Sequence, residues 1–156
     1  MTPEIKMAVT EAEFGTGKEL FLEYAGTLGF ELCFQGFEQE LADIRIQYAA
    51  PEGCLLLAYA GDRPVGCVGI RRWRGDIAEL KRMYLKPELR GLGAGRVLLE
   101  SALQHARQLG YRGIRLDTLP TMETAIALYR AYDFHEIDPY RPSPIEGTLY
   151  LEKELD

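Results

Sequence analysis

The sequence holds little that would staple, metallate or anchor it. Its cysteines, Cys33, Cys54 and Cys67, are odd in number and form no Cys-x-x-Cys pair, which argues against a disulfide framework or a structural zinc site. Its two histidines, His105 and His135, belong to no metal-like cluster, so no metal centre is expected. The apolar runs are short, such as residues 53–60, and fall well below the length of a membrane span. The N-terminus, Met1-Thr2-Pro3-Glu4-Ile5-Lys6, lacks the basic-then-apolar pattern of a signal peptide, and a cytoplasmic setting is expected. Positive charge is also scarce: the formal net charge of −6 disfavours a nucleic-acid partner, which calls for a basic face. There is no repeat and no low-complexity tract.

What is present suits one domain over residues 1–156, with 47% hydrophobic and 27% charged residues. Cys54 and Cys67 lie in apolar strand-like runs and read as small core hydrophobes. A short strand is expected at 5–9. Two helical patterns follow, Leu20, Phe21, Tyr24, Leu28 and then Phe37, Leu41, Ile44, Tyr48. Three strands come next, 54–60, 65–73 and 77–85, turning at Gly61-Asp62 and at Arg74-Gly75-Asp76. A helix from about Gly93 to Leu109, a strand at 114–118, a helix through Ala125, Leu128, Tyr129 and Tyr132, and two last strands complete the order. This is an α+β (α/β) domain with a mixed sheet.

Charge is uneven along the chain. Residues 71–96 carry Arg71, Arg72, Arg74, Lys81, Arg82, Lys86, Arg90 and Arg96 against Asp76, Glu79 and Glu88. The segment is either a solvated basic edge or a seat for a compact polyanion. Within it, Arg90-Gly91-Leu92-Gly93-Ala94-Gly95-Arg96 joins a strand to a strong helix. Glycines let a backbone turn tightly and approach a ligand, and the first N–H groups of a helix lack intrahelical partners and sit at the positive end of its dipole. The loop is therefore an anion site or a tight structural turn. A Gly-x-Gly-x-x-Gly dinucleotide fingerprint and a P-loop motif are both missing.

Here the sequence resembles the GNAT superfamily of acetyl-CoA-dependent N-acetyltransferases. The family's Arg/Gln-x-x-Gly-x-Gly/Ala fingerprint is matched by Arg90, Gly93 and Gly95. Glu79-Leu80-Lys81-Arg82-Met83-Tyr84-Leu85 is similar to its central strand, and Ala125 to Phe134 to its Ala-x-x-Leu-Tyr-x-x-x-Gly-Phe helix. The similarity covers about residues 54–137. Two departures stand out: Met122 replaces a frequent Asn, and Asp133 replaces the usual Gly.

The resemblance implies a GNAT-like single domain with a mostly antiparallel sheet, splayed at the strand before the glycine loop. It implies acetyl-CoA as acyl donor, its pantetheine arm on the backbone of Met83 and Leu85 and its pyrophosphate on Leu92, Gly93, Ala94, Gly95 and Arg96, with Arg90 and Gly91 opening the same loop. A small-molecule or peptide amine would attack the thioester directly, without an acyl-enzyme; no nucleic-acid or membrane partner is implied, and a homodimer stays open. An alkylammonium must first lose a proton, at about 4–5 kcal/mol near pH 7. Glu79, expected to share a face with Lys81, Met83 and Leu85 and to have its pKa raised by burial, is the candidate general base; the bland alternative is an exposed residue paired with a neighbouring cation. Tyr129 is either the acid that serves the departing thiolate or a core tyrosine. Glu31, Glu38 and Glu40 could attract a cationic acceptor or be a solvated face, and Trp73 and Tyr140 could line a pocket or merely pack. A catalytically silent acyl-CoA-binding regulator is the alternative function.

Overall fold

The computed structural model describes residues 2–29 and 36–156; Cys33 and Glu31 lie outside them. The chain runs β1 (Glu4–Met7), α1 (Glu11–Gly26), α2 (Phe37–Ala42), α3 (Ile44–Gln47), β2 (Cys54–Ala60), β3 (Arg63–Arg74), β4 (Ile77–Leu85), α4 (Ala94–Gln108), β5 (Gly113–Thr118), α5 (Glu123–Ala131), β6 (His135–Glu136) and β7 (Leu149–Glu154). Among the described residues these strands form one sheet in the order β1-β2-β3-β4-β5-β7-β6. All neighbours are antiparallel except β4 and β5, which are parallel. The fold is the mixed, mostly antiparallel single-sheet domain that the sequence implies.

Local chemistry explains most of the boundaries. Helix α1 begins earlier than its apolar spacing suggests, because Thr10 and Glu13 form a reciprocal capping box. The single helix expected through Phe37, Leu41, Ile44 and Tyr48 is broken at Asp43, which ends α2 and starts α3. Gln39 Nε2 donates to the Asp43 carboxylate at 2.7 Å, and Asp is a residue whose side chain competes with helical bonding. Cys54 and Cys67 are buried, as expected.

The sheet has a core on each face. Helices α4 and α5 cover Leu56, Val68, Ile70, Ala78, Leu80, Ile114, Leu116 and Leu151. Helices α1 to α3 cover Leu55, Leu57, Cys67 and Tyr84. Among the described residues no helix is long and apolar enough to cross a membrane.

Candidate active site

Strand β4 is irregular at the point that matters. Cys67 pairs with Tyr84 and Gly69 with Lys81, so Arg82 and Met83 together oppose Val68: a β-bulge. Arg82 sits at φ +56°, a left-handed conformation that costs a non-glycine residue about 1–3 kcal/mol. The extra residue reverses the side-chain parity of the strand. Before the bulge, Ala78 and Leu80 face α4 and α5; after it, Met83 and Leu85 do. Arg82 and Tyr84 point the other way, to Glu40 on α2 and Glu23 on α1. The expected common face of Glu79, Lys81, Met83 and Leu85 is thus corrected: Glu79 and Lys81 lie opposite Met83 and Leu85.

On the α1–α3 face, Glu79 is fully buried and fully engaged. Its Oε1 accepts from Nε and NH2 of Arg71, each at 3.0 Å; its Oε2 accepts from the Tyr140 hydroxyl at 3.1 Å and from Arg141 at 2.5 Å. Burial pushes the Glu79 carboxyl pKa up, but Lys81, Arg141 and Arg71 together hold it below the usual carboxylate value. The expected upward shift is therefore not found, because the cations outweigh desolvation. Arg141 also reaches Asp117 at 3.8 Å, and its guanidinium lies over Trp73 and Tyr140, at 5.1 and 5.2 Å. Trp73 and Tyr140 pack on each other at 4.8 Å. Lys81 is buried beside this network, and desolvation, with Arg82 adding to it, pushes its ammonium pKa down to about 8.

On the opposite side, the β4–β5 ladder is three pairs long, from Ile77–Gly113 to Glu79–Arg115. Both strands continue, β4 along β3 and β5 along β7, so the sheet opens beyond Glu79. Tyr129 of α5 lies at this opening with its hydroxyl 3.8 Å from the Met83 sulfur, and burial pushes its phenol pKa well up. The glycine loop follows directly. Arg90 Nε donates to the Leu85 carbonyl at 3.1 Å, and the Gly95 Cα stands where an added Cβ would touch Leu128 and Leu85. Gly91 and Gly93 adopt φ of +80° and +81°, and Gly93 caps α4 without any side-chain bond. The first-turn amides of α4 therefore lack the side-chain closure that Thr10 gives α1. Such a loop, exposed from Arg90 to Gly93 and at Arg96, suits an anion.

Residues 22–134 match the acetyltransferase (GNAT) family. The chain belongs to the GNAT family. It is 36% identical over 140 residues to an uncharacterised N-acetyltransferase of Schizosaccharomyces pombe, covering 88% of this chain and 86% of that one. It is 37% identical over 111 residues to the IAA acetyltransferase of Azospirillum brasilense, covering 69% and 71%. In fold it matches an acetyltransferase from Streptococcus agalactiae with a TM-score of 0.80 at 22% identity, over 99% of both chains. A Salmonella typhimurium protein solved with its cofactor acetyl-CoA has the same fold, with a TM-score of 0.75 at 16% identity, over 100% and 95%. The chain is thus a GNAT acyltransferase, an enzyme of a family that uses acetyl-CoA.

Set in the GNAT frame, the residues singled out in the sequence divide in two. Met83, Leu85, Tyr129 and the loop Arg90 to Arg96 come together around the opening of the sheet. Glu79 stands on the other face, inside its ion network. Glu40, read as an attractor of a cationic acceptor or as part of a solvated helix face, is instead buried against Arg82 as its anionic partner. Much of the basic segment is likewise engaged internally: Arg71 with Glu79, Arg72 with Glu52, Lys86 with Glu23. The alternative of Glu79 paired with a neighbouring cation holds for Arg71, though Glu79 is buried rather than exposed; Asp117 and Arg141 carry no expected role in the sequence. The signal for the Arg71 pairing was the excess of cations around a single buried-type glutamate on one strand.

Proposed function

We propose that this GNAT enzyme transfers an acetyl group from acetyl-CoA to a primary amine of a small molecule or peptide, by direct attack on the thioester. The observation that carries the reading is the three-pair β4–β5 ladder. It leaves a cleft between two strands with a glycine-capped helix start at one end and a buried tyrosine along it. A peptide-like arm can bond to the free edge of β4 at Met83 and Leu85. Leu92, Gly93, Ala94, Gly95 and Arg96 then supply amides and charge to a pyrophosphate, with Arg90 and Gly91 shaping the turn. In the reaction the amine nitrogen bonds to the carbonyl carbon, the carbon–sulfur bond breaks, the amine gives up a proton and the thiolate needs one.

Tyr129, kept protonated by its burial, supports the thiolate as a hydrogen-bond donor. For the amine's proton, Glu79 is the assigned carboxylate, acting directly or through water. A carboxyl held below 4.5 by Lys81, Arg141 and Arg71 is a weak proton acceptor, and its bonds make it a strong organiser of Arg71, Arg141 and Tyr140. Glu79→Gln tests the assignment: a carboxylate that stays ionised from pH 6 to 9 is expected, as base, to lower the rate over that whole range when it is lost, whereas an unchanged rate over that range rejects it. A cytoplasmic setting belongs to the same reading.

The test of the whole is a thiol-release assay with acetyl-CoA against amino acids, polyamines, aminoglycosides and peptide N-termini. Release with at least one acceptor is expected. Tight coenzyme A binding with no release in any arm overturns the transfer reading in favour of a silent acyl-CoA-binding regulator.

A further inference from the structure

We propose that Glu40 of α2 is a positioning residue for the donor cleft: through Arg82 it holds the β4 bulge that turns Met83 and Leu85 toward Tyr129. The inference rests on the acetyl-CoA reading and assigns that site a control element on the far face of the sheet.

The geometry of the clamp is specific. Arg82 Nε donates to Glu40 Oε2 at 3.1 Å and its NH2 to Oε1 at 2.8 Å, a two-point contact between a planar fork and a carboxylate. Tyr48 donates its hydroxyl to Glu40 Oε2 at 2.8 Å, and the guanidinium lies 5.2 Å from the centre of the Phe37 ring. Glu40 and Arg82 are 2% and 7% exposed. Tyr48 is itself fixed. Its ring meets Phe21 edge-on at 5.6 Å and crosses Gly69, where an added Cβ would fall 2.6 Å from a ring carbon. Gly69 is the residue paired with Lys81, immediately before the bulge. The clamp therefore gathers α2, the residue after α3, and β3 around one strained residue of β4.

Two arguments give it a purpose beyond cohesion. First, a long side chain in the left-handed region in mid-strand persists only where its surroundings fix it, and the two-point bond to the Glu40 carboxylate is one such hold on Arg82. Release of Arg82 to extended backbone restores a regular ladder, and a one-residue shift sends each following side chain to the other face. Met83 then leaves Tyr129, and Leu85 leaves Gly95. Second, a buried ion pair is a poor source of stability compared with apolar residues of the same volume, so its presence suits a geometric role. The bulge carbonyl reports the same placement: the Cys67 thiol donates to the Arg82 carbonyl at 3.4 Å.

The test is calorimetry of coenzyme A binding to wild type, Glu40→Gln, Tyr48→Phe and the double variant Glu40→Gln/Arg82→Gly. It is paired with KM for acetyl-CoA and for the amine giving the fastest thiol release. Glu40→Gln is expected to weaken coenzyme A about tenfold and raise KM for acetyl-CoA in step, while KM for the amine moves less than about twofold. Tyr48→Phe, which removes one of the bonds, is expected to weaken it about twofold to threefold. The double variant leaves no buried charge at the clamp and lets glycine adopt the bulge without strain, so binding returns to within about threefold of wild type. A merely structural role lowers the melting temperature but gives neither the KM split nor the rescue. Folded Glu40→Gln that binds coenzyme A like wild type overturns the proposal. If that variant does not fold, unchanged affinity in Tyr48→Phe, or a folded double variant with affinity lost, overturns it instead. Failure of the wild type itself to bind coenzyme A sinks the acetyl-CoA reading first, and is read from the unmodified protein alone.

Discussion

The two faces of β4 differ in kind. One face is apolar before the bulge, with Ala78 and Leu80, and after it carries Met83 and Leu85 beside the opening of the sheet. The other is a lattice of charge in which Arg71, Arg82, Arg141 and Lys81 stand among Glu40, Glu79 and Asp117. The first face packs apolar side chains and sets the Met83 sulfur beside Tyr129, and on the strand edge next to it the Leu85 carbonyl accepts from Arg90. The second face spends its polar groups on itself. It lends rigidity, through the bulge, to a strand whose other side must keep its shape without a neighbour. A site of this kind separates the making of geometry from the making of contacts, and puts each on its own side of one strand.

The largest way to break the comparison is Glu79→Leu. It puts an apolar side chain at a fully buried carboxylate position and leaves the half-buried Arg71 and Arg141 without their shared partner, and a loss of about 3–5 kcal/mol in urea unfolding is expected. A loss below that of Leu80→Ala, about 2–5 kcal/mol, would mean that the charged face is no more than a covering.

Next is Lys81, whose ammonium is disfavoured in the folded protein. The penalty is complete below the folded value of about 8 and fades as pH rises toward the ordinary 10.5, because only the unfolded chain still binds that proton. Lys81→Met is therefore expected to gain on wild type at pH 7, and the gap to narrow by about 2 kcal/mol by pH 9.5. Glu79 and Glu40 have the opposite sign. Their stabilisation is present above 4.5 and lost as pH falls through their lowered values, so urea midpoints drop below pH 4.5.

On the apolar side Tyr129→Phe removes one hydroxyl, and turnover is expected to fall about tenfold with stability nearly unchanged. Wild-type turnover would reject Tyr129 as a donor. The smallest effect is that of Gly93→Ala. Open space surrounds the site, so only the φ of +81° resists, at about 1–2 kcal/mol, which is read as lowered thermal stability and weaker coenzyme A binding.

How much of this was legible depends on the distance over which it is encoded. Strand β4 was bounded correctly at both ends because Gly75-Asp76 and Pro87 flank it, and the glycine loop announced itself by spacing. Asp133, substituted for the family's glycine, takes φ +69° as a short polar side chain can. The bulge was invisible. Glu79, Lys81, Met83 and Leu85 alternate without a break, and no glycine marks Arg82 as left-handed. Its partner lies 42 residues away in Glu40, just as the state of Glu79 depends, beside Lys81 and Arg71, on Arg141 in a proline-rich loop near the other end of the chain. Local periodicity carries no information about such pairs. The capping box at Thr10 and Glu13 was readable and would have placed the start of α1.

The short β4–β5 ladder has one more consequence. Strand β4 is an interior strand along its first three residues and an edge strand along the rest of that side. Edges of this type invite strands from other chains, and proteins usually blunt them with proline, charge or a covering loop. Here Arg90 takes up the Leu85 carbonyl, and a fuller guard would close the cleft that the proposed function needs. On the function proposed above, a bound acyl donor covers this edge, and the supply of that small molecule becomes part of what keeps the protein from associating through its own sheet.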